Sequence, residues 1–346
     1  MTVLLDDAAP GVEGPRSEGA LRRRPAASRP LARYLLRRFC WGLVLIWVVT
    51  VLVFVATQAL PGDAAAVILG DTATPERLAQ VRATMHLDDP MIVQYVKWLG
   101  GLLHGDLGVS LGNRQPVSAY IGSRLRNTLV LSGLSCLIAV PISFGLGLRA
   151  ATRPGGLLDR AVSGATVVLS AVPSMVFGIV LIYLFATNVW QWLPAVSLLD
   201  TRRGLFGQLD KLVLPALTLA LTAVPPITYN VRASMLEVLR GPYIGMARLN
   251  GLRERTVLWR EALPNALGPV GQATALMIVI VVGGTTVIET IFGYDGVGLA
   301  LAHAVNGRDV PLLQGITVVL TAATVAVVLC FDMLAVLLNP RLRTAL

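Results

Sequence analysis

Residues 39–60, FCWGLVLIWVVTVLVFVATQAL, carry no charged side chain. A run of this kind, about 20 residues at 1.5 Å per residue, is long enough to cross a hydrocarbon layer of about 30 Å. Amides in lipid have no water to bond, so the segment must satisfy them internally as a helix. Five further windows free or nearly free of charge lie roughly at 127–148, 161–187, 212–231, 262–288 and 310–331. Their length and lack of strict alternation argue against a β-barrel. The chain therefore reads as an all-α membrane protein with six transmembrane helices.

Composition agrees. Of 346 residues, 55% are apolar and 14% charged, against about 25% charged in an average soluble domain. The net charge of +9 does not point to nucleic acid, because the basic residues cluster at the ends of the apolar runs. With the N-terminus inside, arginines such as Arg37, Arg38, Arg153, Arg160, Arg253 and Arg341 fall on the cytoplasmic side, and the two short outer loops hold only Arg202, Arg203, Lys211 and Arg308. The positive-inside rule places both termini in the cytoplasm. Arg37-Arg38 ahead of an apolar run is not an export signal, since the run is about twice a signal h-region and five more follow.

Organisation follows from the spans. Residues 1–30, rich in Arg, Pro, Ala and Gly, read as a disordered cytoplasmic tail, and 31–60 as the first transmembrane helix. Residues 61–126 form one long outer-face loop domain. In it Asp88-Asp89-Pro90 signals a helix start, Met91, Tyr95 and Trp98-Leu99 recur at helical spacing, and Gly105-Asp106-Leu107-Gly108 reads as a turn. Its surface serves either as a docking face or lid, or as a packed cap that braces the first two helices. Residues 127–340 make a five-helix core containing a cytoplasmic loop at 237–265.

The chain offers little catalytic chemistry. There is no HExxH, no carboxylate pair within the spans and no GxxxxGK[ST] loop, because Lys97 and Lys211 lie outside any such frame. Cys40, Cys136 and Cys330 sit in or beside different apolar runs, and His86, His104 and His303 lack a second ligand at metal spacing. No metal and no cofactor is expected in this chain. Asp332, in the last helix, is either a proton or cation site in a pathway or a structural carboxylate, paired with an Arg of the first helix or hydrogen-bonded within the bundle. Glu289 lies at the outer end of the fifth span. Helix breaks are pathway candidates, because proline frees backbone carbonyls that a cavity or neighbour must satisfy: Pro141, Pro173 and Pro225-Pro226, the last pair being the favoured hinge.

The polar stretch 243–265, YIGMARLNGLRERTVLWREALPN, lies between two of the apolar runs. Ala247 and Gly251, four apart, are expected to share one helical face that a partner can approach closely, with Arg248, Arg253, Arg255 and Arg260 orienting it against an acidic cleft. The stretch resembles the cytoplasmic signature of ABC importer permeases: EAA, three residues, Gly, nine residues, Ile, one residue, Leu-Pro. Ala247, Gly251, Leu263 and Pro264 match, while Gly245, Met246 and Glu261 replace the Glu, first Ala and Ile.

Further pieces narrow the resemblance to the dipeptide, oligopeptide and nickel permeases, in the subunit type with a long first outer loop. They are Leu60-Pro61-Gly62-Asp63, Asp89-Pro90 with Gln94-Tyr95 and Trp98, Gly105-Asp106-Leu107-Gly108 with Ser110, Arg126-Asn127-Thr128-Leu129, and Leu214-Pro215. Arg232-Ala233-Ser234-Met235, Tyr243, Ala247-Arg248, Gly251-Leu252, Glu289 with Phe292, Gly296 and Gly298, Arg308-Asp309, and Asn339-Pro340-Arg341 complete the set. Asp295 stands where the family usually has Pro, and Asn339 where it has Asp.

The resemblance implies a type I ABC importer permease fold and half of an alternating-access pathway for short peptides. It implies a second homologous permease, two cytoplasmic ABC ATPase subunits that bind ATP and Mg, and an extracytoplasmic substrate-binding protein. Coupling would run through Tyr243, Ala247, Arg248, Gly251, Leu252, Leu263 and Pro264; Pro173, Pro225, Pro226, Glu289 and Asp332 would serve as hinge or pathway groups. Relatives in the family carry nickel complexes, glutathione or other small solutes. A secondary transporter is the rival reading, but one lone acid and no evident inverted repeat give it little support.

Overall fold

The computed structural model describes residues 28–59, 74–76, 89–200 and 204–338. The tail before Ser28, Leu60-Pro61-Gly62-Asp63, His86, Arg202-Arg203 and Asn339-Pro340-Arg341 lie outside the described residues. Among those described, every regular element is a helix, and the single bridge pairs Val109 with Pro116.

Helix α1 (Ser28–Gln58) begins three residues before the expected boundary of the first span. Helix α2 (Met91–Leu103) starts directly after Pro90, as the Asp89-Pro90 signal predicts. Helix α3 (Val117–Thr152) stops at Arg153, whose φ of −134° and ψ of 72° lie outside the helical region that Pro154 disfavours for the residue before it. Helices α4 (Leu157–Ser170) and α5 (Ser174–Ile182, continued by a π turn over Tyr183–Thr187) meet at a 97° bend. Then follow α6 (Leu209–Leu239), the short α7 (Pro242–Leu249), α8 (Leu263–Phe292), α9 (Val297–Asn306) and α10 (Val310–Leu338).

Among the described residues, four helices are long and apolar enough to cross a membrane, at Leu35–Gln58, Val117–Thr152, Leu209–Leu239 and Val310–Met333, and the bent pair α4 and α5 makes a fifth if the two are joined. The sequence windows gave six. The third window, 161–187, is not one rod: Pro173 has no N–H to give and forces Val172 out of the helical region, so α4 ends and α5 restarts. The fifth window, 262–288, falls on α8, a continuous helix of 30 residues.

At the centre stands α6, with 61% of its apolar window buried, where the other three windows have 22–28%. Leu212, Leu219, Ile227, Val231 and Met235 form a core with Leu131 of α3 and Ile288 and Phe292 of α8. Lipid tails are as apolar as leucine, so close van der Waals fit rather than water exclusion holds such helices together. Helices α1 and α10 run antiparallel at the edge, joined by Arg38–Asp332 at 3.2 Å near one end and by a Gln314 Nε2 to Thr57 Oγ1 bond of 2.7 Å near the other.

Candidate functional site

The polar stretch forms a compact loop at one end of the bundle. Gly241 caps α7, and Pro242 takes the first helical position, where its missing N–H leaves nothing unpaired. The helix closes in a Schellman turn: Leu252 N–H donates to the Ala247 carbonyl at 3.2 Å and Gly251 N–H to Arg248 at 3.0 Å, with Gly251 at φ +76°. This corrects the expected shared face. The four-residue spacing of Ala247 and Gly251 is that of a helix end, and Gly251 is glycine because the left-handed backbone requires it. Ala247 packs inward against the core.

After the turn, Arg248 forks onto Glu254 with bonds of 2.8 and 3.2 Å, bracing the loop from α7 to the next helical turn, Glu254–Thr256. A π segment, Val257–Ala262, then leads into α8 at Leu263-Pro264. Proline at 264 cannot donate and its ring crowds the carbonyl four residues earlier, and the wider turns just before it relieve both problems.

Three side chains anchor the loop, Ile244, Val257 and Ala262, each fully buried. Opposite them Tyr243, Met246, Leu249, Leu252 and Trp259 are exposed, Leu249 at 82%. Sequence reasoning selected Tyr243 and Leu252 but missed Met246, Leu249 and Trp259. The signal was available: with Ile244 turned inward on a two-turn helix, apolar residues at 246 and 249 must face out.

At the opposite end Glu289 is fully buried. Its Oε1 accepts from Thr128 Oγ1 at 2.6 Å, and its Oε2 from the N–H groups of Gly298 at 2.7 Å and Leu299 at 3.1 Å. Thr128 Oγ1 in turn accepts from Val297 N–H at 2.9 Å. The carboxylate thus caps the start of α9, where the exposed amides and the helix dipole favour negative charge. Side chains at 296 or 298 would overlap Glu289, and at 298 also the Thr286 backbone, which accounts for both glycines. Tyr294 Oη donates to the Asn127 carbonyl at 2.8 Å, and Asn127 Nδ2 to Asp295 O at 2.9 Å. Asp295, in the family's usual proline position, pairs with Arg124 at 2.9 Å. Glu289 is therefore tied into a closed knot rather than open to a pathway.

The remaining candidates separate. Asp332 is ion-paired to Arg38 of α1, the structural alternative of its two readings, although no donor among the described residues is aligned for a hydrogen bond on that oxygen. Pro173 marks the bend between α4 and α5. Helix α6, by contrast, runs unbroken through Pro225-Pro226, with nearby carbonyls supplied from side chains: Ser143 Oγ to Val224 O at 3.2 Å and Asn230 Nδ2 to Pro226 O at 2.9 Å. On that helix Thr222, Pro226, Tyr229, Asn230, Ala233 and Glu237 are only partly buried or exposed and recur at helical spacing, so they form one stripe. Part of it borders a hollow of about 330 Å³ with Thr166, Val167 and Ser170 of α4, and no lining residue is charged. Toward the loop end, Asp159 of α4 receives the Arg232 guanidinium in two bonds and caps Gly155 N–H at 2.8 Å.

These features can be set beside known proteins. Residues 31–132 match the model of the N-terminal membrane component of binding-protein-dependent transport systems, and residues 143–344 that of the transport system inner membrane component. The probable peptide ABC transporter permease protein y4tP of Sinorhizobium fredii is 33% identical over 90% of this chain and 99% of its own. The oligopeptide transport system permease protein AppB of Bacillus subtilis is 34% identical over the same shares. An inward-facing structure of the MetNI methionine ABC transporter superposes with a TM-score of 0.52 at 19% identity, over 63% of this chain and 95% of that one, and shares its fold. A helical bundle with a buried cap at one end and an exposed apolar loop at the other, matched along both halves, belongs to the binding-protein-dependent transport system inner membrane component family, the multi-pass permeases of bacterial ABC transporters.

Proposed function

We propose that this chain forms half of the translocation pathway of an ATP-driven importer of short peptides and that the loop 243–264 couples it to a cytoplasmic ATPase. The exposed apolar row Tyr243, Met246, Leu249, Leu252 and Trp259 carries the reading. Large apolar side chains at the polar end of a membrane bundle, rimmed by Arg253, Arg255 and Arg260, are the composition of a protein contact rather than of a lipid or water face. The Schellman turn and the Arg248–Glu254 fork make the loop a rigid lever whose buried roots, Ile244 and Val257, bear on the α6 and α8 core.

In this reading the chain crosses the membrane six times with both termini and the loop in the cytoplasm, and residues 61–126 face outward, toward a substrate-binding protein. A second homologous permease completes the pathway, and two ABC ATPases bind ATP and Mg; the chain itself is not an enzyme. The stripe on α6 that holds Pro226, with buried Pro225 behind it as the other hinge residue and the Pro173 bend beside it, supplies the pathway face. The neutral groups around the hollow, Thr166 and Ser170 of α4 with Tyr229 and Asn230 of α6, suit peptide amides without selecting on side-chain charge. The peptide class rests on the y4tP and AppB relatives; nickel complexes, glutathione or another small solute form the alternative within the same importer class.

The test is ATP-dependent uptake in the native host with and without this chain, using labelled di- and oligopeptides in competition with glutathione and nickel salts. Loss of peptide uptake on deletion supports the proposal. Unchanged peptide uptake with loss of nickel or glutathione transport moves it to the alternative. Uptake driven by a proton gradient without ATP overturns the class.

A further inference from the structure

Helix α2 has no buried residue although most of its side chains are apolar. Met91, Ile92, Val93, Val96 and Leu103 are exposed, Ile92 at 78% and Leu103 at 80%. Its inner face lies on α1. Tyr95 Oη and Thr50 Oγ1 are 3.0 Å apart, Phe54 sits 5.4 Å edge-on to Tyr95 and 5.9 Å from Trp98, and Gln58 Nε2 donates to Gln94 Oε1 at 2.9 Å.

These contacts fix the depth of the helix. The candidate span of α1 ends at Gln58, and Thr50 lies about 12 Å inside that end. Beyond α2, Leu107 packs against the cluster that includes Leu312 and Ile316 of α10, and a Cβ at Gly108 would lie 3.5 Å from Pro311 in its first turn; the Gln314–Thr57 bond sets those turns level with the end of α1. So α2, about 20 Å long, lies on the last turns of the α1 span, and the turn that follows it reaches the first turns of α10. Its one charged side chain, Lys97, is held by Asp89 at 2.8 Å. A groove of about 320 Å³ between α1 and α2 is walled by Val51, Phe54, Val55, Met91, Ile92 and Tyr95 and opens onto the exposed apolar surface of α1 at Leu52 and Val55.

We propose that α2 is embedded in the membrane leaflet at the Glu289 end, with Ile92 and Val96 among phospholipid acyl chains and an acyl chain entering the groove at Val55. A short apolar helix beside aromatic rings, too short to span, has the character of an interfacial helix. Ile92 borders the groove together with Val55 and Gln58 of the last turn of the α1 span. The binding protein would then meet other parts of residues 61–126, and α2 fixes the height of that surface over the bilayer.

The test places single spin-labelled cysteines at Val55, Ile92 and Val96, with Leu45 on α1 as the lipid reference, after Cys40, Cys136 and Cys330 are replaced by alanine. The complete transporter, retaining uptake, is reconstituted in phosphatidylcholine vesicles, and collisions with oxygen and with a water-soluble nickel chelate are compared. Oxygen should dominate at all three positions as it does at Leu45. Dominance of the nickel chelate at Ile92 and Val96 would put α2 in water, and low access to both reagents would put a protein there; either result overturns the proposal, and adding the binding protein should leave the three signals unchanged.

Discussion

The two ends of this bundle use glycine, arginine and carboxylate for opposite purposes. At the Glu289 end the carboxylate is fully buried and all its contacts are within the chain: Thr128, Gly298 and Leu299. At the loop end Arg248 and Glu254 pair in the open, and the apolar side chains Met246 and Leu249 point away from the core. At one end the side chains are consumed as anchors; at the other they are left exposed, on the surface we propose for the ATPase. Both ends show the spacing of a family signature, so spacing alone does not tell a knot from a docking surface; burial does.

The sharpest break of this contrast is at the knot. Glu289→Leu leaves three buried donors unmet and should destabilise the fold by about 3–5 kcal/mol, and Gly298→Ala, which drives a methyl into Thr286 and Glu289, by about 1–3 kcal/mol. Both should deplete monodisperse chain extracted from membranes, read by fluorescence-detected size exclusion. Near-normal yield from both would show that the knot is not what holds α9. Next comes Asp159→Asn, which weakens its two-bond pairing with the partly exposed Arg232; a melting series should show a loss of about 2 kcal/mol. Gly251→Ala should cost about 1 kcal/mol by forcing a side chain into the left-handed region, with uptake reduced but retained.

Asp332→Asn ranks lower, since its partner Arg38 is half exposed and such a pair contributes less than about 1 kcal/mol. Transport that survives at every external pH would fit the structural pairing; a transport rate that loses its pH dependence in the variant would restore Asp332 to the pathway. Smallest in stability is Leu249→Asp, within about 0.5 kcal/mol, yet it should abolish uptake. That inversion between stability and activity is what separates the two ends.

Much of the fold was legible because the physics of a bilayer is severe: charge-free runs must be helices, and the windows at 39–60, 127–148, 212–231 and 310–331 fall on α1, α3, α6 and α10. The start of α2 after Pro90 and the turn at Gly105 and Gly108, both at positive φ, were readable from local rules. The bend at Pro173 was visible as a break but not in size, since whether a proline kinks a helix or ends it depends on neighbours. Pro225-Pro226 shows the other outcome, an unbroken helix with Ser143 and Asn230 side chains bonding its carbonyls. The role of Glu289 could not be read, because its partner Thr128 lies 161 residues away and its contact with Gly298 depends on how the next helix folds back. Nor could the meaning of Gly251, where a spacing of four fits a helical face and a Schellman turn equally well.

The central claim is that the outward apolar row of the loop is the ATPase contact. The most direct measurement is the amount of cassette ATPase that co-purifies with the tagged chain from the native host, per chain in the membrane, for the natural protein and for the double variant Met246→Asp with Leu249→Asp. The account predicts an unchanged level of chain, with ATPase recovery and uptake both lost. Stoichiometric ATPase and normal uptake in the double variant would contradict it.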